Sequence, residues 1–332
     1  MMHLGGLSRY RTELMGLSAV LILVCHVYAY VELPGVMRYM LSLCNIGVDL
    51  FLFLSGMGIW YSLSNKNGGV KYWYLNRYTK LFVPYFVALI PFEIIQFAFG
   101  KQLENGIWNY LFGLSSLRFY VSHDAAWFIA ALIPLYLLAP LFYNLIKEFQ
   151  WKAAILLVLI LYLSLLVPTS FRSEMLNKVI ENIQFVTIRS TCFVMGMALG
   201  QSVKENKQIS MWWLIGLTIT GIIMIGITRH LVYGYLFFTL PLLFAFLYII
   251  KISRMEVIIF ASFMGMISLE SYILNGVLPK MMATVMITFG WQTLGGIIPY
   301  VVACLLSMPL GYGFYKISDK ILKYLNLSLI HI

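Results

Sequence analysis

The sequence predicts an all-α protein, a polytopic integral membrane helical bundle of about ten transmembrane helices with both termini cytoplasmic. Three observations lead there. Of the 332 residues 61% are hydrophobic and only 11% charged, with a mean hydropathy of +0.86, far from the balance of a soluble globular domain. Apolar runs long enough to cross a hydrocarbon core of about 30 Å, each needing roughly 20 residues, recur from near Glu13 to near Tyr315 and leave no room for a sizeable soluble domain. Lys and Arg are shared unevenly among the connecting segments, as membrane topology demands.

Taken in order, hydropathy and breakers place spans at about 13–31, 46–64, 81–99, 126–146, 152–168, 183–200, 211–228, 232–250, 257–279 and 293–315, within one membrane domain covering residues 1–332. The first run continues past Val31 into Glu32-Leu33-Pro34 without a small-x-small cleavage pattern, so it is expected to stay as a span rather than leave as a signal peptide. "GIWNYLFGLSSLRFY", residues 106 to 120, is too short to cross and is expected at an interface, where Trp and Tyr are at home. Fifteen of the 23 Lys and Arg fall in one alternate set of segments, seven in the other, and Arg189 within a span. By the positive-inside rule the richer set, which includes both termini, faces the cytoplasm, so the expected location is the cell (inner, cytoplasmic) membrane.

The formal net charge of +10 therefore reads as topology, not as a nucleic-acid surface, because the basic residues lie in short loops rather than on one face. Cys25, Cys44, Cys192 and Cys304 are scattered, three of them inside apolar runs, which suggests packing and neither a disulfide framework nor a metal site. The chain contains no P-loop, dinucleotide fingerprint, HExxH, GxSxG or CxxC pattern, excluding the usual ATPase and soluble-hydrolase readings.

Five ionisable residues fall inside the proposed spans: His26, Asp49, Glu93, Arg189 and Glu270. A central Asp, Lys or Arg costs about 2.5 to 3.5 kcal/mol on insertion scales, so each is expected to face the bundle interior or a wet cavity. Counted along their spans at 1.5 Å per residue, all five fall in the outer half of the membrane. A histidine, three carboxylates and an arginine at one level suit a buried reaction centre or a proton-coupled transport site. Each also has a structural alternative. His26 is either a general base or a neutral imidazole bonded to a neighbouring span, and Asp49 either joins the chemistry or starts a helix. Glu93 is a catalytic acid or a protonated interhelical bond; Arg189 and Glu270 contact substrate or form an ion pair.

The loop "SNKNGGVKYWYLNRYTKLFVPYF" interleaves Lys66, Lys71, Arg77 and Lys80 with Tyr72, Trp73, Tyr74 and Tyr78. It is either positive-inside topology with an aromatic belt, or an anion site in which Arg grips phosphate and rings stack on a nucleobase.

In this order along the chain, "YRTELMGLSAVLILVCH", "NIGVDLFLFLSGMGIWYSL", "YLNRYTKLFVPYF", "AWFIAALIPLYLLAPLF", "IRSTCFVMGMALG" and "MISLESYILN" resemble six successive segments of the membrane acyltransferase family 3, in its stand-alone form without an SGNH-type domain. The resemblance implies acyl transfer, with acyl-CoA (acetyl-CoA) as donor substrate, no tightly bound cofactor, and a carbohydrate or glycolipid acceptor at the cell surface. It implies that His26 is catalytic, with Asp49 or Glu270 orienting its ring as a carboxylate supports a histidine. It further implies that Arg11, Arg77 and Lys80 meet the acyl-CoA phosphates, and that Ser55, Arg189, Tyr272 and Asn275 hold substrate; Gly56 also matches the second-span motif. Two positions depart from the family pattern: Met15 stands where many members carry arginine, and Asn275 where many carry a late-span histidine. Passing the acyl group on outside the cell would require a separate extracellular transferase as partner, besides the lipid bilayer itself. The alternative is a polysaccharide or glycolipid exporter using the same polar layer; no internal inverted repeat is visible to favour it.

Overall fold

The computed structural model describes residues 2–31, 33–65, 69–98, 106–122, 127–288 and 297–325. Among them the chain is helical almost throughout. The order is β1 (Met2–His3), α1 (Gly6–Arg9), α2 (Arg11–Tyr30), α3 (Gly35–Leu43), α4 (Ile46–Ser64), α5 (Gly69–Ala98), α6 (Gly106–Leu114), α7 (Phe119–Ser122), α8 (Trp127–Phe149) and α9 (Trp151–Leu163). It continues with α10 (Glu174–Lys204), β2 (Gln208–Ile209), α11 (Met211–Thr228), α12 (Tyr235–Ile252), α13 (Met255–Met266), α14 (Ser268–Thr288) and α15 (Ile297–Tyr324). The start of the tenth expected span, 293–296, Lys66 and the tail beyond 325 lie outside the described residues.

Among the described residues seven helices, α3 and α4 counted together, are each long and apolar enough to cross a membrane, and an eighth candidate is the pair α13 and α14. The fold is therefore a polytopic helical bundle. Three expected spans differ in form. The first is continuous over the 20 residues of α2 and brings Arg11 onto the helix. The span expected at 152–168 is the 13-residue α9 with a 3-10 turn at Ser164–Leu166; 13 residues rise only about 20 Å, short of a full core. The span expected at 257–279 is broken at Ile267, where α13 and α14 meet at 73°, so Glu270 sits in the first turn of a new helix instead of midway up a straight one.

α4 lies at the centre. Its sequence is apolar all round, which suits a helix surrounded by protein, and every residue from Ile46 to Met57 is buried. α11, equally apolar, buries only Leu214 and Gly221, as a helix facing lipid does. Two glycine crossings set the frame. A Cβ on Gly56 would lie 2.0 Å from the Phe193 carbonyl, and one on Gly196 2.0 Å from that of Phe53, so α4 and α10 touch backbone to backbone. Gly16 of α2 and Gly265 of α13 cross in the same way, with a Cβ on either meeting the opposite carbonyl within 2 Å. Such small-residue contacts replace the hydrophobic driving force that lipid cannot supply. They fix α2 and α13 immediately before the break that turns α14 inward.

Prolines interrupt several helices without ending them. Pro134 in α8 cannot donate to the Ala130 carbonyl four residues earlier, and the Tyr120 hydroxyl donates to that oxygen at 3.0 Å. An outside donor thus satisfies a carbonyl at membrane depth.

Candidate active site

A cavity of about 1000 Å³ runs along one face of α4, lined in turn by Val48, Phe51, Ser55, Gly58, Tyr61, Ser62 and Asn65. Apart from the adjacent Tyr61 and Ser62 these positions recur every three or four residues, so they form one helical stripe, and from Val48 to Asn65 it extends about 25 Å. α1, α2, α5, α8, α13, α14 and α15 complete the wall.

The cations gather in this cavity. Arg11, Arg77 and Lys80 all line it. Arg77 is 5% and Lys80 9% exposed, and Arg77 is near enough to both Arg11 and Lys80 to repel them electrostatically. Arg11 donates from Nε to the Leu54 carbonyl at 3.2 Å. Gly58 makes room for it, since a Cβ there would come within 2.9 Å of the guanidinium. The buried Tyr136 lies close to both arginines. Neighbouring cations held out of water are stabilised by an anion brought among them.

The aromatic residues of the basic segment do other work. Tyr74 and Tyr78 donate their hydroxyls to the carbonyls of Leu137 and Ile133 on α8, at 2.7 and 2.8 Å, and Trp73 donates to the Ser62 hydroxyl at 2.9 Å. Tyr74, Tyr78, Phe82 and Phe86 stack in succession along α5. Those rings hold α5 in place, while Tyr72 of the same segment is exposed.

His26 projects from the far end of α2, fifteen residues and so about 22 Å beyond Arg11. It is half-buried and its Nδ1 is hydrogen-bonded to Asn275 Oδ1. Its ring centroid lies 6.4 Å from that of Tyr272, which lines the cavity together with Phe128 and Glu270. The backbone N–H of Phe128 donates to the Tyr272 hydroxyl at 3.4 Å, so α8 and α14 meet there. The partner holding the His26 ring is thus Asn275, where the sequence suggested Asp49 or Glu270.

Asp49 is engaged elsewhere. Its Oδ2 accepts from Arg189 Nη1 at 2.6 Å, with both side chains fully buried, and its Oδ1 lies 3.8 Å from Cys192 Sγ. Trp127, Phe185 and Tyr235 surround the guanidinium at 4.8 to 5.5 Å. This pair ties α4 to α10 and does not line the cavity. The alternative pairing of Arg189 with Glu270 is replaced by this one. Glu270 is 2% exposed in the first turn of α14 and lines the cavity, at the helix end where a carboxylate is favoured by the backbone dipoles. Glu93 is set apart from the rest, hydrogen-bonded to Tyr110 of α6.

The single polar layer expected from depth therefore separates into four groups: a cation-lined cavity that includes Glu270, Ser55 and Tyr272; the His26–Asn275 pair; the buried Asp49–Arg189 pair; and Glu93 with Tyr110. Tyr300, Tyr136 and Asn76 were not singled out from the sequence. Asn76 adjoins Arg77 and lines the cavity, with a buried Oδ1 that has no hydrogen-bond partner among the described residues. A tyrosine within an apolar run carries no polar signal of its own, which is why Tyr136 and Tyr300 were silent. Among the described residues no cluster of three or more His, Cys, Asp or Glu suits a metal ion.

No curated protein and no solved structure matched the chain in comparison. A family model described as an acyltransferase domain matches residues 14–316, all but the two ends of the chain. The match covers α2 from Leu14, most of the cavity wall though not Ser8, Arg11 and Thr12, and α15 to Lys316, and on it the chain is a multi-pass membrane acyltransferase belonging to the acyltransferase 3 family.

Proposed function

We propose that this acyltransferase takes an acyl group, most simply acetyl, from acyl-CoA entering on the cytoplasmic side and transfers it to a hydroxyl of a cell-surface or lipid-linked carbohydrate. His26 serves as general base or as acyl acceptor. The observation that carries the reading is one continuous cavity with Arg11, Arg77 and Lys80 at one part of its wall and Tyr272, next to His26, at another. Acyl-CoA has that layout: phosphates for the arginines, and a long flexible arm that carries its thioester some 20 Å away. Ser55, midway along the α4 stripe, and Tyr272 offer hydroxyls to the amides and carbonyls of that arm.

Two chemical routes are open to the imidazole. As a base it removes the acceptor hydroxyl proton while the oxygen attacks the thioester carbon; as a nucleophile it forms a transient acyl-imidazole that the hydroxyl then resolves. In either route the C–S bond breaks, and the proton lost by the hydroxyl ends on the CoA thiol.

The test uses membranes containing the wild type, His26→Ala or Arg77→Ala, labelled acetyl-CoA, and surface glycan from the host. His26→Ala is expected to lose transfer by about 100-fold or more while still binding CoA. Arg77→Ala is expected to raise the donor KM by about tenfold or more, the cost of one charge-assisted bond. Unchanged transfer by correctly inserted His26→Ala would sink the assignment.

A further inference from the structure

Three helices meet at His26 through one polar chain. Tyr300 of α15 is 2% exposed, and its hydroxyl donates to the Leu23 carbonyl of α2 at 2.5 Å, within the turn that carries His26. Asn275 of α14 is 1% exposed. Its Nδ2 lies 3.2 Å from the Tyr300 hydroxyl oxygen and 3.5 Å from Cys304 Sγ, and its Oδ1 faces His26 Nδ1.

The proton arrangement follows by elimination. A phenol has one proton, and that of Tyr300 is committed to Leu23. Its oxygen therefore meets Asn275 only as an acceptor, and the amide group turned towards it must be the NH2. The reversed amide would set its carbonyl against that oxygen, with only the weak S–H donor of Cys304 to meet it, a costly arrangement in a buried site. With the amide thus oriented, His26 Nδ1 faces an oxygen and must carry the hydrogen. A neutral ring then has its lone pair on Nε2.

We propose that Tyr300, acting through Asn275, is a positioning residue that holds His26 in the Nδ1–H tautomer and so makes Nε2 the reactive nitrogen. This rests on His26 being the acyl-transfer residue. In the base route, the acceptor O–H proton moves to Nε2 as the oxygen bonds to the thioester carbon. The C–S bond breaks and Nε2–H returns the proton to the departing thiolate, restoring the starting tautomer. In the nucleophile route the same Nε2 bonds to the acyl carbon as the C–S bond breaks and CoA departs as thiolate; the acceptor oxygen then takes the acyl group as the C–Nε2 bond breaks, and its proton passes to the thiolate. Asn275 thus does here, through an amide oxygen, what a carboxylate does for a triad histidine, without placing a second charge in the membrane.

The proposal separates from the activity by a direct measurement. Protein labelled with 15N-histidine, with His26→Ala as the subtraction control, reports by solid-state NMR which His26 nitrogen is protonated. Wild type is expected to show Nδ1 protonated and Nε2 bare. Tyr300→Phe frees the amide to turn its NH2 towards Nδ1, and should populate the Nε2–H form. The same variant should lower kcat by about 10- to 100-fold, the usual range for a group that orients a functional histidine, with the donor KM within about twofold. Adding Asn275→Asp to Tyr300→Phe should recover most of the rate, since a carboxylate has no donor to present to Nδ1, and should move the acid limb of the rate profile to higher pH. Nε2–H in the wild type, or Tyr300→Phe with unaltered tautomer and kcat, overturns the proposal. The expected tautomer in a protein whose His26→Ala variant still transfers acyl groups would overturn the catalytic role and leave the positioning geometry standing.

Discussion

Asp49→Leu leaves Arg189 as a cation inside the bundle with no carboxylate opposite it. The two charges are 2.6 Å apart with no exposure, and at an effective dielectric near 20 their gross attraction is about 6 kcal/mol. Much of this offsets the cost of removing both from solvent, so the useful figure is the penalty for orphaning one partner, about 3 to 5 kcal/mol. The rings of Trp127, Phe185 and Tyr235 remain on the guanidinium and soften that loss by about 1 to 2 kcal/mol. The net expectation is a destabilisation of about 1 to 4 kcal/mol. Arg189→Leu should cost less, because an orphaned carboxyl can take up a proton and become neutral whereas a guanidinium cannot. The double replacement Asp49→Leu with Arg189→Met should recover most of the stability, as apolar substitutes for buried pairs do. Unfolding of the detergent-solubilised protein by heat or SDS measures all three. Additive costs in the double variant, or an Asp49→Leu protein as stable as the wild type, would refute the reasoning. Acyl transfer by the double variant adds a further reading: retained activity places the pair in the scaffold, and its loss in a folded protein returns Asp49 to the chemistry.

Two further predictions come from packing. Gly56→Ala drives a methyl into the Phe193 backbone oxygen and should abolish folded protein, whereas Gly58→Ala meets only the movable end of Arg11; the latter should fold normally and raise the donor KM several-fold, as checked by size-exclusion yield and by transfer kinetics. Tyr120→Phe should lower stability by about 1 kcal/mol by depriving the Ala130 carbonyl of its donor; in a Pro134→Ala background, where the helix supplies its own N–H, thermal melts should show that cost disappear.

How far the site was legible in the sequence differs from residue to residue. His26 and Glu270 announce themselves because a charge or imidazole in an apolar run is costly and needs a reason, whereas Arg77 and Lys80 stood in a basic loop that topology alone could explain. Arg11 was visible from the family motif, and its place in the cavity depends on Gly58, which no pattern connects to it. Asp49 shows the limit of arguing from depth: level with His26 along its own span, it is turned towards α10, because helix rotation about its axis is set by packing. Glu93 was likewise at a plausible depth and belongs to the α5–α6 contact.

The sequence by itself determined the class of protein and most of the helices, since hydrocarbon thickness and backbone hydrogen bonding leave a chain this apolar no other form. It also determined the reaction type, through motifs spread over nearly the whole chain. The tertiary structure alone decided the partnerships. The glycine crossings fixed how closely the helices approach, the break at Ile267 turned α14 so that Glu270, Tyr272 and Asn275 face inward, and the contacts among Tyr300, Asn275 and His26 joined three helices at one point. These depend on the rotation and bending of helices remote in sequence, which hydropathy does not encode, because in lipid it is close packing and polar contact that choose among rotations of equal hydrophobicity.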